Sequence, residues 1–322
     1  MKKIVSGVIA LVMLFTFVSV GASVAEAKKL SVVTTIFPIY DWVREVVGDH
    51  DDVEITMLLD NGVDLHSYQP TAQDIMKIAT CDVFVYVGGE SDEWVEDALA
   101  EAVNPDMVVV NLVESMGDDI KMEEIVEGME AEEESGEEVE EAVEYDEHVW
   151  LSLRNAQKLA KALASALGKA NPANVGSYAA NADAYIKKLA ALDAEYADAR
   201  ETAEFDTVLF GDRFPFRYLV DDYDLNYYAA FSGCSAESEA SFETIVFLAG
   251  KVDELGLSTV LTIEGDNHRI AETIVGNTRA KDAKVLAMDS MQATTGNDAK
   301  NGITYLGVME ANLEALKRAL TK

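Results

Sequence analysis

The sequence predicts an α/β protein of two lobes, each with a mainly parallel sheet flanked by helices, joined by one long rigid helix. Short apolar runs alternate with amphipathic segments in both halves of the chain. One helical segment, residues 171–203, separates the halves without an internal break. The chain of 322 residues has 49% hydrophobic content, which is enough to fill two cores.

Residues 1–27 have the pattern of a secretory signal peptide. A charged start, Met1-Lys2-Lys3, precedes the apolar run Ile4–Val20, and small residues then end in Ala25-Glu26-Ala27. The apolar run is short for a membrane span of about 20 residues. We therefore expect an exported protein, periplasmic or on the extracellular face of the cytoplasmic membrane.

Residues 28–170 are predicted to form the N-terminal α/β lobe. The predicted strands are Leu30–Phe37, Val53–Leu59, Asp82–Val87 and Met107–Leu112. The predicted helices are Ile39–Val47, Thr71–Ala79, Asp92–Ala102 and Leu151–Leu167. This alternation favours parallel strands connected by helical crossovers.

Residues 118–147 interrupt the N-terminal lobe with sixteen Asp or Glu side chains against one Lys. Like charges at this density oppose compaction, so we expect a mobile or weakly helical acidic loop. It is either a solubilising insertion or a segment that concentrates cations beside His148.

Residues 171–203 are predicted to form the linking helix. Asn171-Pro172 has the character of an N-cap followed by a first-turn proline. At about 1.5 Å per residue the unbroken stretch Pro172–Thr202 would run about 45 Å, longer than one domain is wide. We expect a strut shared by two lobes in a monomer, with a coiled-coil dimer seam as the alternative.

Residues 204–322 are predicted to form the C-terminal α/β lobe. Its predicted strands are Thr207–Phe210, Tyr227–Phe231, Thr259–Ile263 and Val285–Met288. Its predicted helices include Ser241–Leu255, a helix that begins at His268, and Ile303–Leu320. The lobe therefore repeats the alternation of the first half.

Charge and cysteine content restrict the functions open to this chain. A net charge of −34 repels nucleic acid and anionic membrane surfaces and attracts cations. Cys81 lies in an apolar run and is expected to be buried, while Cys234 lies in a Gly/Ser loop. Export would permit a disulfide between them, and the sequence leaves that pairing open.

Polar side chains that suit a metal ion occur in loops, mostly where predicted strands end. The candidates are His66, His148, Asp212 and Asp289, with His268 as a further candidate. Loops converge at the carboxyl ends of parallel strands, so these residues can form one site. Two imidazoles and two carboxylates would accept Zn²⁺, Mn²⁺ or Fe²⁺, and His268 in place of a carboxylate would favour zinc.

Each candidate also has a structural reading. His66 could cap a helix, and His148 could be a hydrogen-bonded core histidine beside Trp150. Asp212 could pair with a neighbouring arginine, and Asp289 could be an N-cap. The metal hypothesis needs the two histidines to meet in space.

Two motifs resemble those of the solute-binding proteins of bacterial ABC importers for zinc and manganese. Gly62–Pro70 is similar to G-x-D-P-H-x-Y-x-P, with Leu65 where Pro is usual, and Asp146–Leu151 is similar to D-P-H-x-W-L. The resemblance covers the mature chain. It implies two α/β lobes on one rigid helix, with the metal between them, and delivery to an ABC-type permease in the cytoplasmic membrane.

The resemblance also implies a ligand set. It places the first two ligands on His66 and His148, the third on Asp212 and the fourth on Asp289, whereas His268 has no counterpart. The pattern around Asp212 departs from that of the family. The charged loop is usually His-rich in zinc members and is acidic here, which is a departure from the zinc pattern. The two motifs still imply Zn²⁺, with Mn²⁺ or Fe²⁺ as the alternative.

Two other classes of function are compatible with a metal site. A secreted zinc hydrolase would keep an open coordination position and a general base, but H-E-x-x-H, G-x-S-x-G and P-loop patterns are missing from the sequence. The second class is an extracellular adhesin or a metal buffer that never meets a permease. We expect metal capture rather than catalysis.

Overall fold

A computed structural model describes residues 28–130, 145–233, 239–265 and 267–322. The predicted signal peptide, the middle of the acidic loop and Cys234 lie outside the described residues. Cys81 is buried, and its thiol donates to the carbonyl of Ile78. Burial and the neighbouring Asp82 raise the pKa of the Cys81 thiol to about 12.

The N-terminal lobe is built on a parallel sheet with a crossover order of strands. The strands are β1 (Leu30–Thr34), β2 (Val53–Met57), β3 (Val83–Tyr86) and β4 (Val108–Asn111). They lie in the order β2-β1-β3-β4, and Val32 of β1 is in register with Ile55 of β2 and Val83 of β3. The helices of this lobe are α1 (Phe37–Val47), α2 (Ala72–Thr80), α3 (Trp94–Ala100), α4 (Leu112–Met116) and α5 (Leu153–Ala170).

Helix α6 (Val175–Glu201) is the long helix that the sequence predicts. Its 27 residues span about 40 Å, and a 3₁₀ turn, Pro172–Asn174, precedes it. The side-chain amide of Asn181 donates to the carbonyl of Val46 in α1 at 3.0 Å. Near the other end, the Tyr196 hydroxyl donates to the carbonyl of Met309 at 2.6 Å. The helix is therefore packed against both lobes.

The C-terminal lobe has a second parallel sheet of the same kind. Its strands are β5 (Thr207–Arg213), β6 (Asn226–Phe231), β7 (Thr259–Thr262) and β8 (Lys284–Ala287), in the order β6-β5-β7-β8. Its helices are α7 (Arg217–Asp222), α8 (Phe242–Leu255), α9 (Arg269–Asn277), α10 (Gly296–Lys300) and α11 (Tyr305–Ala319). The two sheets and the helix between them confirm the predicted fold class.

Buried aromatic residues also connect the lobes directly. The Tyr305 hydroxyl donates to the carbonyl of Trp150 at 2.6 Å, and its N–H donates to the carboxylate of Asp41 at 2.8 Å. The indole N–H of Trp150 donates to the carbonyl of Ser290 at 2.8 Å. These bonds lie in a core that excludes water, so they fix the position of one lobe relative to the other.

The described flanks of the acidic segment contact the rest of the protein; the middle of the predicted mobile loop lies outside the described residues, so the loop stays a prediction. Val126 and Met129 pack against the core, and the Glu130 N–H donates to the carbonyl of Ala230 at 3.0 Å. An antiparallel bridge joins Met122 to Tyr145. Apolar residues at the flanks make these contacts, and the density of charge in the segment does not predict them.

Gly211 in β5 allows α9 to pack closely on the second sheet. A Cβ at this position would lie 2.5 Å from the Cα of Ala271. We expect Gly211→Ala to lower the free energy of unfolding by about 1–3 kcal/mol through overpacking. Urea unfolding measures this loss.

Gly250→Ala in α8 is the matched control for Gly211→Ala. A Cβ there meets no atom within 4 Å. The control should be neutral or more stable, because alanine favours a helix by up to about 1 kcal/mol over glycine. Equal stability of the Gly211→Ala and native proteins would contradict the prediction.

Candidate metal centre

His66 lies in the loop after β2, where a short 3₁₀ turn holds its backbone. The turn spans Leu65–Ser67, and the side chain of Asp64 caps it by accepting from the N–H of His66 at 3.0 Å. Burial alone would raise the pKa of Asp64, but the guanidinium of Arg213 beside it and the nearby His66 lower it overall. Asp64 is thus an anionic cap that fixes the loop carrying the first histidine.

His148 lies in the second motif, and its side chain is fully buried at 0% exposure. Oδ1 of Asp146 accepts from the His148 N–H at 2.8 Å and lies 3.0 Å from Nδ1 of the ring. The indole of Trp150 packs against the imidazole, with ring centroids 5.1 Å apart. One carboxylate therefore fixes both the backbone and the ring of His148.

The two imidazoles meet, as the metal hypothesis requires. Nε2 of His66 lies 3.2 Å from Nε2 of His148, although 82 residues separate them in sequence. Two imidazole nitrogens that bind one tetrahedral zinc at about 2.0–2.1 Å lie about 3.3 Å apart. The spacing of this histidine pair therefore fits two neighbouring coordination positions on one ion.

The Nδ1 atom of each histidine faces a carboxylate. Asp146 faces Nδ1 of His148, and Oε1 of Glu147 lies 3.1 Å from Nδ1 of His66. Metal-binding histidines commonly donate their second ring N–H to a carboxylate, which orients the ring and raises its basicity. Each ring can therefore keep its Nδ1 proton while its Nε2 atom, which faces the other ring, gives up a proton to bind a metal ion.

The environment shifts the pKa values of these groups in opposite directions. Burial alone would lower the pKa of His148, but Asp146 and Glu147 raise it overall. Burial alone would raise the pKa of Glu147, yet its hydrogen bond to His66 and the two neighbouring histidines lower it. The pair therefore lies in a strongly anionic pocket that favours a cation.

The second lobe closes over the histidine pair. A Cβ placed on Gly233, just after β6, would lie 3.0 Å from Cε1 of His148. The guanidinium of Arg213 at the end of β5 donates to the carboxylate of Asp64 at 2.8 Å. The pair is therefore covered by backbone and side chains from both lobes.

Asp212, at the end of β5 as predicted, is bound to the neighbouring strand. Its Oδ2 accepts from the Thr262 hydroxyl and from the N–H of Ile263, and its Oδ1 accepts from the N–H of Arg213. These bonds direct the carboxylate along the sheet. Arg213, the next residue, makes the contact with the His66 loop.

Asp289 follows β8, and its loop is tied to the second motif by the bond from Trp150 to Ser290. Its Oδ1 accepts from the N–H of Met291 at 2.7 Å. Burial raises the pKa of Asp289. Burial and the nearby charge of Asp289 raise the pKa of Glu264, which accepts from the N–H and hydroxyl of Ser290. A divalent cation beside these two carboxylates would favour their ionised forms and lower both pKa values.

The sequence-predicted residues are only partly assembled. In the ranges that the structure describes, no group of three or more His, Cys, Asp or Glu side chains has the arrangement of a metal site. His268 precedes α9, where its buried Nδ1 has no hydrogen-bond partner among the described residues.

Sequence reasoning missed the roles of Glu147, Ser91 and Glu264. For Glu147, the signal was an acidic residue at the Pro position of the second motif.

A histidine pair that two carboxylates orient, lying between two α/β lobes on one long helix, is the arrangement expected of a metal-binding solute-binding protein. The chain belongs to the ZnuA family, described as "Zinc-uptake complex component A periplasmic", whose profile matches residues 32–319.

Sequence relatives agree with this assignment. The chain is 32% identical over 320 residues to the zinc-binding lipoprotein AdcA of Streptococcus pneumoniae serotype 4, covering 99% of this chain and 61% of that protein. It therefore spans less than two thirds of that relative. The high-affinity zinc uptake system protein ZnuA of Bacillus subtilis is 29% identical over 302 residues, covering 93% of this chain and 90% of that protein.

A solved structure supports the same fold. The Zn(II)-bound ZnuA-like domain of Streptococcus pneumoniae AdcA is similar to this chain with a TM-score of 0.70 and 28% identity. The similarity covers 91% of this chain and 99% of that domain. Both lobes and the long helix are thus included in the match.

Proposed function

We propose that this protein captures one divalent transition metal ion, Zn²⁺, outside the cytoplasm and delivers it to an ABC-type permease. The observation that carries the proposal is the 3.2 Å separation of the two Nε2 atoms, each ring being backed by a carboxylate. The zinc-binding relatives and the anionic character of the chain support it. Manganese or iron(II) in the same site is the less supported cargo, because the similar proteins are named for zinc.

The first two ligands in this proposal are His66 and His148. Asp289 and Asp212 from the C-terminal lobe complete the coordination, which places the ion between the lobes. Asp289 is supported by its loop, which Trp150 ties to the His148 motif. Asp212 would have to exchange its bonds to β7 for the metal. We assign His268 no part in this set.

Export accounts for the cleavage pattern at the start of the chain and agrees with the periplasmic description of the family. No helix in the described part of the chain is long and apolar enough to cross a membrane. Family membership supports a permease partner, and the protein acts as a monomer in this proposal. Residues 28–170 and 204–322 serve as the two lobes, with 171–203 as their link.

A secreted hydrolase is the competing class. A zinc hydrolase keeps a coordination position open for water and sets a general base beside it. Here the second lobe lies against the histidine pair at Gly233. Esterase or peptidase turnover by the zinc-loaded protein would support the hydrolase and contradict capture.

Native mass spectrometry with elemental analysis of protein purified without added metal tests the proposal. We expect one zinc ion per chain, retained through desalting. Chelator competition then ranks Zn²⁺, Mn²⁺ and Fe²⁺. A protein that retains no divalent metal would contradict the proposed function, and one that retains manganese would assign the alternative cargo.

Asp289→Asn and Asp212→Asn test the ligands from the second lobe. Each variant should weaken zinc binding by about 10-fold or more if its carboxylate coordinates the ion, since the amide oxygen is a weaker, uncharged donor. Isothermal titration in the presence of a competing chelator measures the change. The exposed Glu114→Gln is the control, because it removes one negative charge outside the site. Affinity equal to that of the control would remove that residue from the ligand set.

A further inference from the structure

Glu147 precedes His148 in the chain, but its side chain serves the other histidine. The residue is buried, with 1% exposure. Its Oε1 lies 3.1 Å from Nδ1 of His66. The hydroxyl of Ser91 lies 2.7 Å from the same ring nitrogen and donates to Oε1 of Glu147. The three groups form one closed hydrogen-bonded triangle.

The loop after β3 is shaped around this carboxylate. Oε2 of Glu147 accepts from the backbone N–H of Ser91 at 3.2 Å. Gly89 has φ 84°, and a Cβ there would lie 2.6 Å from Oε2. Only glycine suits this position, because both its backbone conformation and the approach of Glu147 exclude a side chain. The carboxylate therefore lies in a built cradle.

The triangle determines which nitrogen of His66 carries a proton. Ser91 donates its hydroxyl proton to Glu147, so its oxygen accepts from the Nδ1–H of His66. The carboxylate has no proton to offer and likewise accepts from Nδ1–H. With the proton on Nδ1, the lone pair of the neutral ring is on Nε2, which faces His148.

We propose that Glu147 is a positioning residue for His66, holding its Nδ1–H tautomer and aiming its Nε2 at the metal. The dipeptide Glu147-His148 would then supply one ligand and orient the other. This inference rests on the proposed metal site. Proline, which the motif D-P-H-x-W-L has at this position, carries no side-chain oxygen and could not accept the hydrogen bond.

The test compares Glu147→Gln with native protein and with the Glu114→Gln control, which removes the same charge at an exposed position. Loss of an outer partner of a metal ligand weakens affinity by about 10–100-fold. We expect that loss of zinc affinity in Glu147→Gln and less than a twofold change in the control. Chelator competition measures both.

A second readout separates positioning from a general structural effect. In the metal-free native protein, ¹⁵N NMR of the histidine rings should show His66 as a single Nδ1–H tautomer. Glu147→Gln should give a mixture of tautomers, and the Co²⁺-loaded variant should have altered visible absorption bands. Ser91→Ala should weaken zinc binding in the same direction without removing the carboxylate, which covers the case in which Glu147→Gln folds poorly.

The outcomes are distinct. Native zinc affinity in folded Glu147→Gln, or weakened binding with the His66 tautomer unchanged, would overturn the positioning role while leaving the metal site intact. If His66→Ala and His148→Ala bind zinc as tightly as native protein, the proposed function itself fails. Combined loss of affinity and of the single tautomer supports the inference.

Discussion

His148→Ala should weaken zinc binding by more than about 100-fold, beyond the range for outer partners of a metal ligand. The substitution removes one of two adjacent imidazole donors and leaves the buried carboxylate of Asp146 without its ring partner. The remaining Nε2 of His66 would face a cavity instead of a second donor. Chelator competition at constant pH measures the affinity.

The same substitution should destabilise the metal-free protein, because it opens space beside Trp150 in a closed core. Circular dichroism and thermal unfolding must therefore accompany the binding measurement. His66→Ala should give a comparable loss of affinity, since its ring supplies the matching donor.

His50→Ala is the control for loss of an imidazole. His50 lies away from the pair, where its Nε2 is 2.7 Å from the Ser177 hydroxyl and its ring packs edge-on against Tyr178. We expect native zinc affinity in this variant. A folded His148→Ala protein with the affinity of the His50→Ala control would falsify the histidine-pair site.

Zinc affinity should fall steeply as the pH is lowered from about 8 to about 5.5, because an imidazole must lose its proton to bind metal. The negative surroundings of His148 raise its pKa above the ordinary value of 6.5. The loss should therefore begin above pH 6.5 and reach about tenfold per pH unit for each imidazole that takes up a proton. Isothermal titration across this range measures it.

Zinc affinity should rise with pH, whereas the contribution of His148 to the free energy of unfolding of the metal-free protein should fall with pH. A histidine whose pKa is raised on folding contributes stability below its unfolded pKa, and this contribution is lost as the pH rises through the folded pKa. The positive charge of protonated His148 attracts Asp146 and Glu147 and so stabilises the metal-free site. At higher pH the metal ion replaces the proton. Urea unfolding with and without zinc separates the two contributions.

Asp146→Asn is the matched variant for the pH experiment. Asp146 is the main group that raises the pKa of His148, so its loss should move the pH at which affinity falls toward lower values. Zinc binding that is constant between about pH 8 and about pH 5.5 would contradict the assignment of imidazole ligands.

The fold was predictable from the sequence to a large extent. Apolar runs fixed the positions of the strands, and the unbroken segment beyond Asn171-Pro172 indicated the long helix. Element ends were less accurate: the first strand stops at Thr34 rather than Phe37, and α1 begins at Phe37. Proline is tolerated in the first turn of a helix, so Pro38 lies inside α1 rather than marking its boundary.

The candidate site was predictable in part. The loops of His66 and His148 are readable because their motifs are local in sequence, and the structure places the two rings together. The direction of Asp212 was not readable. Its side chain could face the cleft or bind Thr262 and Ile263 at the end of β7, and residues distant in the chain decide between these two directions.

The sequence by itself determined the strand and helix pattern, the excess of negative charge and the two histidine motifs, because each depends on residues close together in the chain. Only the tertiary structure decided that Glu147 serves His66 rather than its neighbour His148, and that Trp150 joins the second motif to the loop of Asp289. Hydrogen bonds and burial act over a few ångströms in space, so folding alone establishes which distant residues share them.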